Sequence, residues 1–196
     1  KIEKYLGKDT IIILTGQRRV GKSSILRLFK NKVEVSDNAN IIYINKEKKE
    51  FDDIKTYKEL NAYIDERLDA EKTNYILVDE IQDVAEFERS VRNYYEEPNI
   101  EIVITGSNSK MLSGDLSTLI GGRYKEIYVQ ALSYTEFMQF HQLPDTDDTL
   151  SKYIQLGGLP GLLKMGLDER DAREYQTEVY HTVLLKDVIM RNQIRN

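Results

Sequence analysis

The chain of 196 residues has no cysteine and no tryptophan, only three prolines and only two histidines. Without cysteine there is no disulfide, no thiolate nucleophile and no sulfur-ligated zinc site, and the same absence fits a reducing, cytoplasmic location. His141 and His181 lie far apart and lack ligand spacing, so each reads as a helix-surface or packing residue rather than a metal ligand. No apolar run reaches the ~18 residues that a membrane-spanning helix needs, so no membrane association is expected. The opening Lys1-Ile2-Glu3-Lys4 lacks a signal core and an initiator Met, which leads one to expect a piece of a longer chain. A basic excess is also missing. At a net charge of −5 the surface as a whole does not attract phosphate backbones, so nucleic acid would have to be held by a local patch or by a further domain.

Apolar residues make up 40% of the chain and charged residues 31%, which is the balance of a soluble globular protein. The length suits one α/β domain with a small appendage. Thr10 to Thr15 is a β-branched apolar run that stops at Gly16 and predicts a buried strand. From Lys22 the period changes, with Ile25, Leu28 and Phe29 at helical spacing through Lys32. Further strands are expected at 41–44, 75–78, 100–104 and 126–129. Amphipathic helices fall between them, one marked by Tyr57, Leu60, Ile64 and Leu68, the next by Phe87, Val91, Tyr94 and Tyr95. Strands alternating with helices imply right-handed crossovers and a parallel sheet with helices on both faces, an α/β/α fold. Beyond Val129 only helical patterns follow. Ser133 to Glu136 has the form of a capping box, Asp145, Asp147 and Asp148 read as a solvated loop, and Gly157-Gly158 ends a helix begun near Leu150. The expected division is an α/β core at 1–131, whose ligand the motifs below indicate, and a small helical lid with the start of a further module at 132–196. The last helix, with Val183, Leu184, Leu185, Val188 and Ile189, is apolar enough to expect packing on residues beyond Asn196 or on a protein partner, a second copy of the chain included.

Gly16-Gln17-Arg18-Arg19-Val20-Gly21-Lys22-Ser23 satisfies the phosphate-loop pattern G-x-x-x-x-G-K-[ST] and sits between a predicted strand and a predicted helix. Glycines let backbone N–H groups converge on a phosphate, and the helix beginning at Lys22 adds its positive end. Lys22 is suited to neutralise the β- and γ-phosphates, and the Ser23 hydroxyl to bind Mg²⁺. Gly16, Gln17, Arg18, Arg19, Val20, Gly21, Lys22, Ser23 and Ser24 are therefore the expected ATP-binding residues, and the bland alternative is a glycine-bearing β–α turn. Tyr75 to Glu80 ends an apolar strand on two carboxylates. Asp79 is placed to hold Mg²⁺ and Glu80 to polarise the attacking water; taken alone, the same pattern could be a structural strand end. After the strand 100–104, Ser107 or Asn108 could orient water or touch the γ-phosphate, or could simply cap a helix. Arg123 after Gly121-Gly122 could stabilise transition-state charge in its own or a neighbouring subunit, or be a surface arginine.

With GQRRVGKS, ILVDEIQ (Ile76 to Gln82), ITGSNSKML (Ile104 to Leu112), GGRY (Gly121 to Tyr124) and YIQLGGLPGLL (Tyr153 to Leu163) in this order, the chain resembles the prokaryotic AAA-type P-loop ATPases that carry a winged-helix-like C-terminal domain. The resemblance implies the sheet order 5-1-4-3-2, Glu80 as the water-activating base, Arg123 acting on an adjacent subunit, and Pro160 of Gly158-Leu159-Pro160 against the adenine. The functions it leaves open are an ATPase driving a conformational cycle, a nucleotide-gated switch with little turnover, and a DNA-associated ATPase whose DNA contacts lie in a further domain. A GTPase is disfavoured because no Asn-Lys-x-Asp motif is present.

Overall fold

The computed structural model describes residues 2–106 and 121–183. Strands β1 (Ile11–Thr15), β2 (Ala39–Asn45), β3 (Thr73–Asp79), β4 (Ile100–Thr105) and β5 (Tyr124–Tyr128) form one sheet in the order β2-β3-β4-β1-β5. Every pairing is parallel, with Ile12 opposite Val103 and Lys125, and Val78 opposite Ile44 and Ile104. This is the expected order 5-1-4-3-2 read from the other edge. Strand composition explains the placement. β1 is buried at all five positions and lies inside the sheet, whereas β2 and β5, with interspersed polar residues, form the edges.

One face of the sheet presents Ile11, Ile13, Ile42, Ile44, Ile76, Val78, Ile102 and Ile104. Helices α2 (Tyr57–Asp65) and α3 (Phe87–Tyr95) cover it with Leu60, Ile64, Phe87, Val91 and Tyr94. On the other face α1 (Lys22–Val33) packs against β3 and β4, its Phe29 ring meeting Tyr75 edge-on at 6.1 Å. Burying such a face at ~25 cal/mol per Å² is the main force holding helix to sheet. α2 begins with a Thr56–Glu59 capping box. It stops at Asp65, one turn short of the expected Leu68, because Arg67 N–H turns back to the Ile64 carbonyl at 2.8 Å and leaves Leu68 outside the helix.

The described residues fall into two compact units, one running to Gly16 and resuming at Lys22–Tyr128, the other made of Gln17–Gly21 with the residues from Val129 on. In the second unit α4 (Tyr134–His141) opens with the Ser133–Glu136 capping box that the sequence announces. Phe137 is fully buried between the rings of Tyr153 at 5.3 Å and His141 at 4.5 Å. α5 (Asp147–Leu156) starts earlier than expected. Thr146 accepts the Thr149 N–H as N-cap, and Asp147 and Asp148 occupy the first turn, where the helix dipole favours carboxylates. The acidic stretch is thus mainly a helix start, with Asp145 accepting the Tyr134 hydroxyl at 2.8 Å. Gly157, at φ 69°, ends α5. Leu156, Leu162 and Ala172 form a small core with Leu159, Leu167 and Tyr175, closed by α6 (Glu169–Val183). Among the described residues no helix is long and apolar enough to cross a membrane.

Candidate nucleotide site

The carboxyl ends of β1, β3 and β4 lie side by side, so the residues that follow them share one edge of the sheet. β1 delivers Gly16 at φ 134°, a conformation that only glycine adopts readily, and α1 begins at Lys22. Lys22 is 4% exposed, and its Nζ donates to the Gly16 carbonyl at 2.9 Å. β3 delivers Asp79, which is fully buried. Asp79 Oδ1 accepts from the Ser23 hydroxyl at 3.1 Å and from the Thr105 hydroxyl at 2.5 Å, while its Oδ2 is buried and has no partner among the described residues. Burial holds the Asp79 carboxyl above the usual carboxylate range and the charge of Glu80 adds to this, whereas the Thr105 and Ser23 hydroxyls and Lys22 oppose it.

Glu80 is 7% exposed and stands at φ 56°, in the left-handed region that a non-glycine residue enters at a cost of about 1–3 kcal/mol. Its N–H donates to Thr105 Oγ1 at 3.0 Å, and its Oε2 accepts from Gln82 Nε2 at 2.5 Å. Thr105 therefore ties the two carboxylate-bearing residues together, accepting from one and donating to the other. Sequence reasoning passed over Thr105 in favour of Ser107 and Asn108. The available signal was a hydroxyl at the end of an otherwise apolar strand beside the Asp79 strand. Ser107 and Asn108 lie outside the described residues.

The donor set fits a divalent hard cation. Ser23 and Asp79 bring a hydroxyl and a carboxylate within hydrogen-bonding distance of each other, and a buried carboxylate oxygen without a partner is the atom such an ion would satisfy.

Arg123 lies elsewhere. Its carbonyl accepts the Ile11 N–H at the start of β1, so it occupies the sheet edge opposite Gly16. Its guanidinium sits 5.6 Å from the Tyr95 ring and 3.9 Å from Glu96, and its side chain is 60% exposed. Within this unit it is not brought to Gly16. Ser24 is exposed and accepts from Arg27 at 3.3 Å.

The loop residues Gln17, Arg18, Arg19, Val20 and Gly21 belong to the second unit. There Val20 is buried and Arg18 half-buried, and Arg19, at φ 64°, carries its guanidinium 5.3 Å from the Tyr175 ring centre. Pro160 Cγ lies 3.9 Å from where a Cβ on Gly21 would stand. A cleft of about 520 Å³ lies away from this chemistry, at the amino ends of β3 and β4 between Asn74, Tyr94 and Ile100.

The family model described as AAA domain matches residues 8–138. Two curated relatives are an uncharacterized protein of Haemophilus influenzae, 31% identical over 98% of this chain and 50% of its own length, and an uncharacterized protein of Methanocaldococcus jannaschii, 30% identical over 100% and 45%. The chain thus spans about half the length of these relatives. Among solved structures, domain III of the Thermotoga maritima replication initiation protein DnaA matches with TM-score 0.54 and 14% identity over 95% of this chain and 87% of that one. Cdc6p of Pyrobaculum aerophilum gives 0.53 and 15% over 90% and 59%, and AMPPCP-bound DnaA of Aquifex aeolicus 0.53 and 13% over 98% and 62%. At those identities the likeness is one of fold, a parallel five-stranded P-loop sheet, whereas the family model covers well over half of the chain. The protein belongs to the AAA domain family.

Proposed function

We propose that the chain binds ATP with Mg²⁺ and hydrolyses it to ADP and phosphate, coupling turnover to a conformational change. The observation that carries this reading is the knot of Ser23, Asp79, Thr105 and Glu80. A buried carboxylate, one of whose oxygens has no partner among the described residues, is tied by a shared hydroxyl to a second carboxylate on a strained backbone. Strain and desolvation of this kind persist only where the surroundings enforce them, and they cluster at functional sites.

In this account the loop N–H groups and Lys22 hold the β- and γ-phosphates, and Ser23 and Asp79 would hold the metal ion, which would supply positive charge to the phosphate oxygens. Glu80 orients a water molecule in line with the γ-phosphorus and takes its proton as the water oxygen bonds to phosphorus and the bond to the ADP oxygen breaks. Thr105 fixes the backbone of Glu80 relative to Asp79. Arg123, exposed at the opposite sheet edge, serves a phosphate only in a neighbouring copy of the chain.

Calorimetry with Mg²⁺-ATP tests the binding half. Wild type should bind and Lys22→Ala should lose at least tenfold in affinity, about 1.4 kcal/mol or more. Equal affinity in the two proteins would remove the loop from the site.

A further inference from the structure

Arg19 lies inside the phosphate-loop pattern, and its guanidinium rests 5.3 Å from the centre of the Tyr175 ring, within the range of cation–π attraction. Among the described residues that ring is the contact Arg19 makes. Arg19 stands at φ 64°, so the loop backbone around it is held in a conformation that it would not adopt freely. The position of Tyr175 is itself fixed. Its hydroxyl oxygen lies 2.1 Å from where a Cβ on residue 161 would be, so only glycine leaves room for it, and its ring packs on the core of Leu156, Leu162 and Ala172. One residue before that glycine, Pro160 meets the other end of the same loop at Gly21. Helix α6 and the Pro160-Gly161 turn therefore grip the loop at two points, through an aromatic ring at Arg19 and a pyrrolidine at Gly21.

We infer that Tyr175 is a positioning residue for the phosphate loop, holding Arg19 and with it the loop backbone in the shape that receives phosphate, so that the seating of α6 sets nucleotide affinity. This rests on the reading of the loop as an ATP site and adds the element that regulates it. A ligand that tightens the loop steadies α6, and a partner that draws α6 away loosens the loop, because coupling of this kind is reciprocal. The ring rather than the hydroxyl does the holding, so phenylalanine serves as well as tyrosine and leucine does not.

The test is Mg²⁺-ATP affinity by calorimetry for wild type, Tyr175→Phe, Tyr175→Leu, Arg19→Ala and the Arg19→Ala/Tyr175→Leu pair. Thermal melting of each variant confirms that it is folded. Losing one exposed cation–π contact converts to about two- to fivefold in affinity. Tyr175→Leu should weaken binding by that factor, Tyr175→Phe should stay within about twofold of wild type, and the pair should be no weaker than Arg19→Ala alone. A merely structural role would give additive losses in the pair. Additivity, or a Tyr175→Leu affinity equal to wild type, overturns the inference. If Tyr175→Leu does not fold, Gly161→Ala, which pushes the same ring aside, should weaken binding while Tyr175→Phe/Gly161→Ala, with the hydroxyl gone, recovers part of it; no loss in Gly161→Ala overturns the inference equally. The two readings fail separately. Binding abolished by Lys22→Ala but flat across the Tyr175 series removes only this inference, and a folded wild type that binds no ATP removes both.

Discussion

Replacing Thr105 by valine exchanges a hydroxyl for a methyl of nearly the same size at a position with no solvent exposure, so shape is kept and hydrogen bonding alone is lost. Two bonds disappear, the 2.5 Å donation to Asp79 Oδ1 and the 3.0 Å acceptance from the Glu80 N–H. The second loss leaves a buried backbone donor unsatisfied, at about 1–3 kcal/mol, and a hydrogen bond to a charged group is worth about 1.5–3 kcal/mol. The two share one network and are not additive, so roughly 2–4 kcal/mol is expected for the pair. For a chain of this size that lowers the melting temperature by roughly 4–16 °C, since about 1 kcal/mol corresponds to 2–4 °C. Thr105→Ser keeps the hydroxyl and loses only a methyl, about 1 kcal/mol, and should melt above the valine variant. Scanning calorimetry or circular dichroism melts of the three proteins decide the matter. A valine variant that melts within a degree or two of wild type, or above the serine variant, would refute the claim that this hydroxyl holds Asp79 and Glu80 together.

Three further outcomes follow from the same geometry. Gly158→Ala places a Cβ 2.1 Å from the Leu132 carbonyl oxygen and strains the 2.7 Å Leu132 N–H to Gly158 carbonyl bond, so the second unit should lose about 1–3 kcal/mol, seen as faster proteolysis of 129–183 than in wild type. Burial lowers the His141 pKa below its ordinary 6.5, so the folded state takes up its proton later than the unfolded chain. That contribution to stability is present above pH 6.5 and lost as pH falls below it, so His141→Phe should melt with a shallower decline between pH 7 and 5 than wild type. Arg123→Ala should leave ATP binding by a dilute protein unchanged and lower turnover only where copies associate, which turnover measured against protein concentration would show; a loss independent of concentration speaks against action on a neighbour.

Much of the fold was legible because local pattern and final environment agree. The five apolar runs became five parallel strands, and Ser133 with Glu136 became the capping box that opens α4. Position was legible where spacing is rigid. The step from Gly16 to Ser23 leads from a strand into a helix as expected, and Asp79 is the last residue of β3 by chain continuity alone. What escaped depends on neighbours that are distant in sequence. Thr105 gains its meaning from the register that sets Val78 beside Ile104, which no local window contains. Arg123 was assigned by its place before β5, and only the sheet direction shows that this is the edge away from Gly16. Leu68 kept helical spacing, yet the chain had already turned at Arg67. Asp147 and Asp148 looked like loop because their charge was weighed without the helix dipole that stabilises them. The grouping of Gln17–Gly21 with residues beyond Val129 is likewise a tertiary fact, carried by Tyr175 and Pro160.

The central claim is that one buried carboxylate knot supports Mg²⁺-dependent ATP turnover, and phosphate release by wild type and Glu80→Gln, each with Mg²⁺ and with chelator, tests it most directly. The account predicts release by wild type with Mg²⁺, none with chelator, and a fall of about 10²-fold or more in Glu80→Gln, which still binds ATP. Turnover by Glu80→Gln equal to wild type, or turnover that persists without the metal ion, would contradict it.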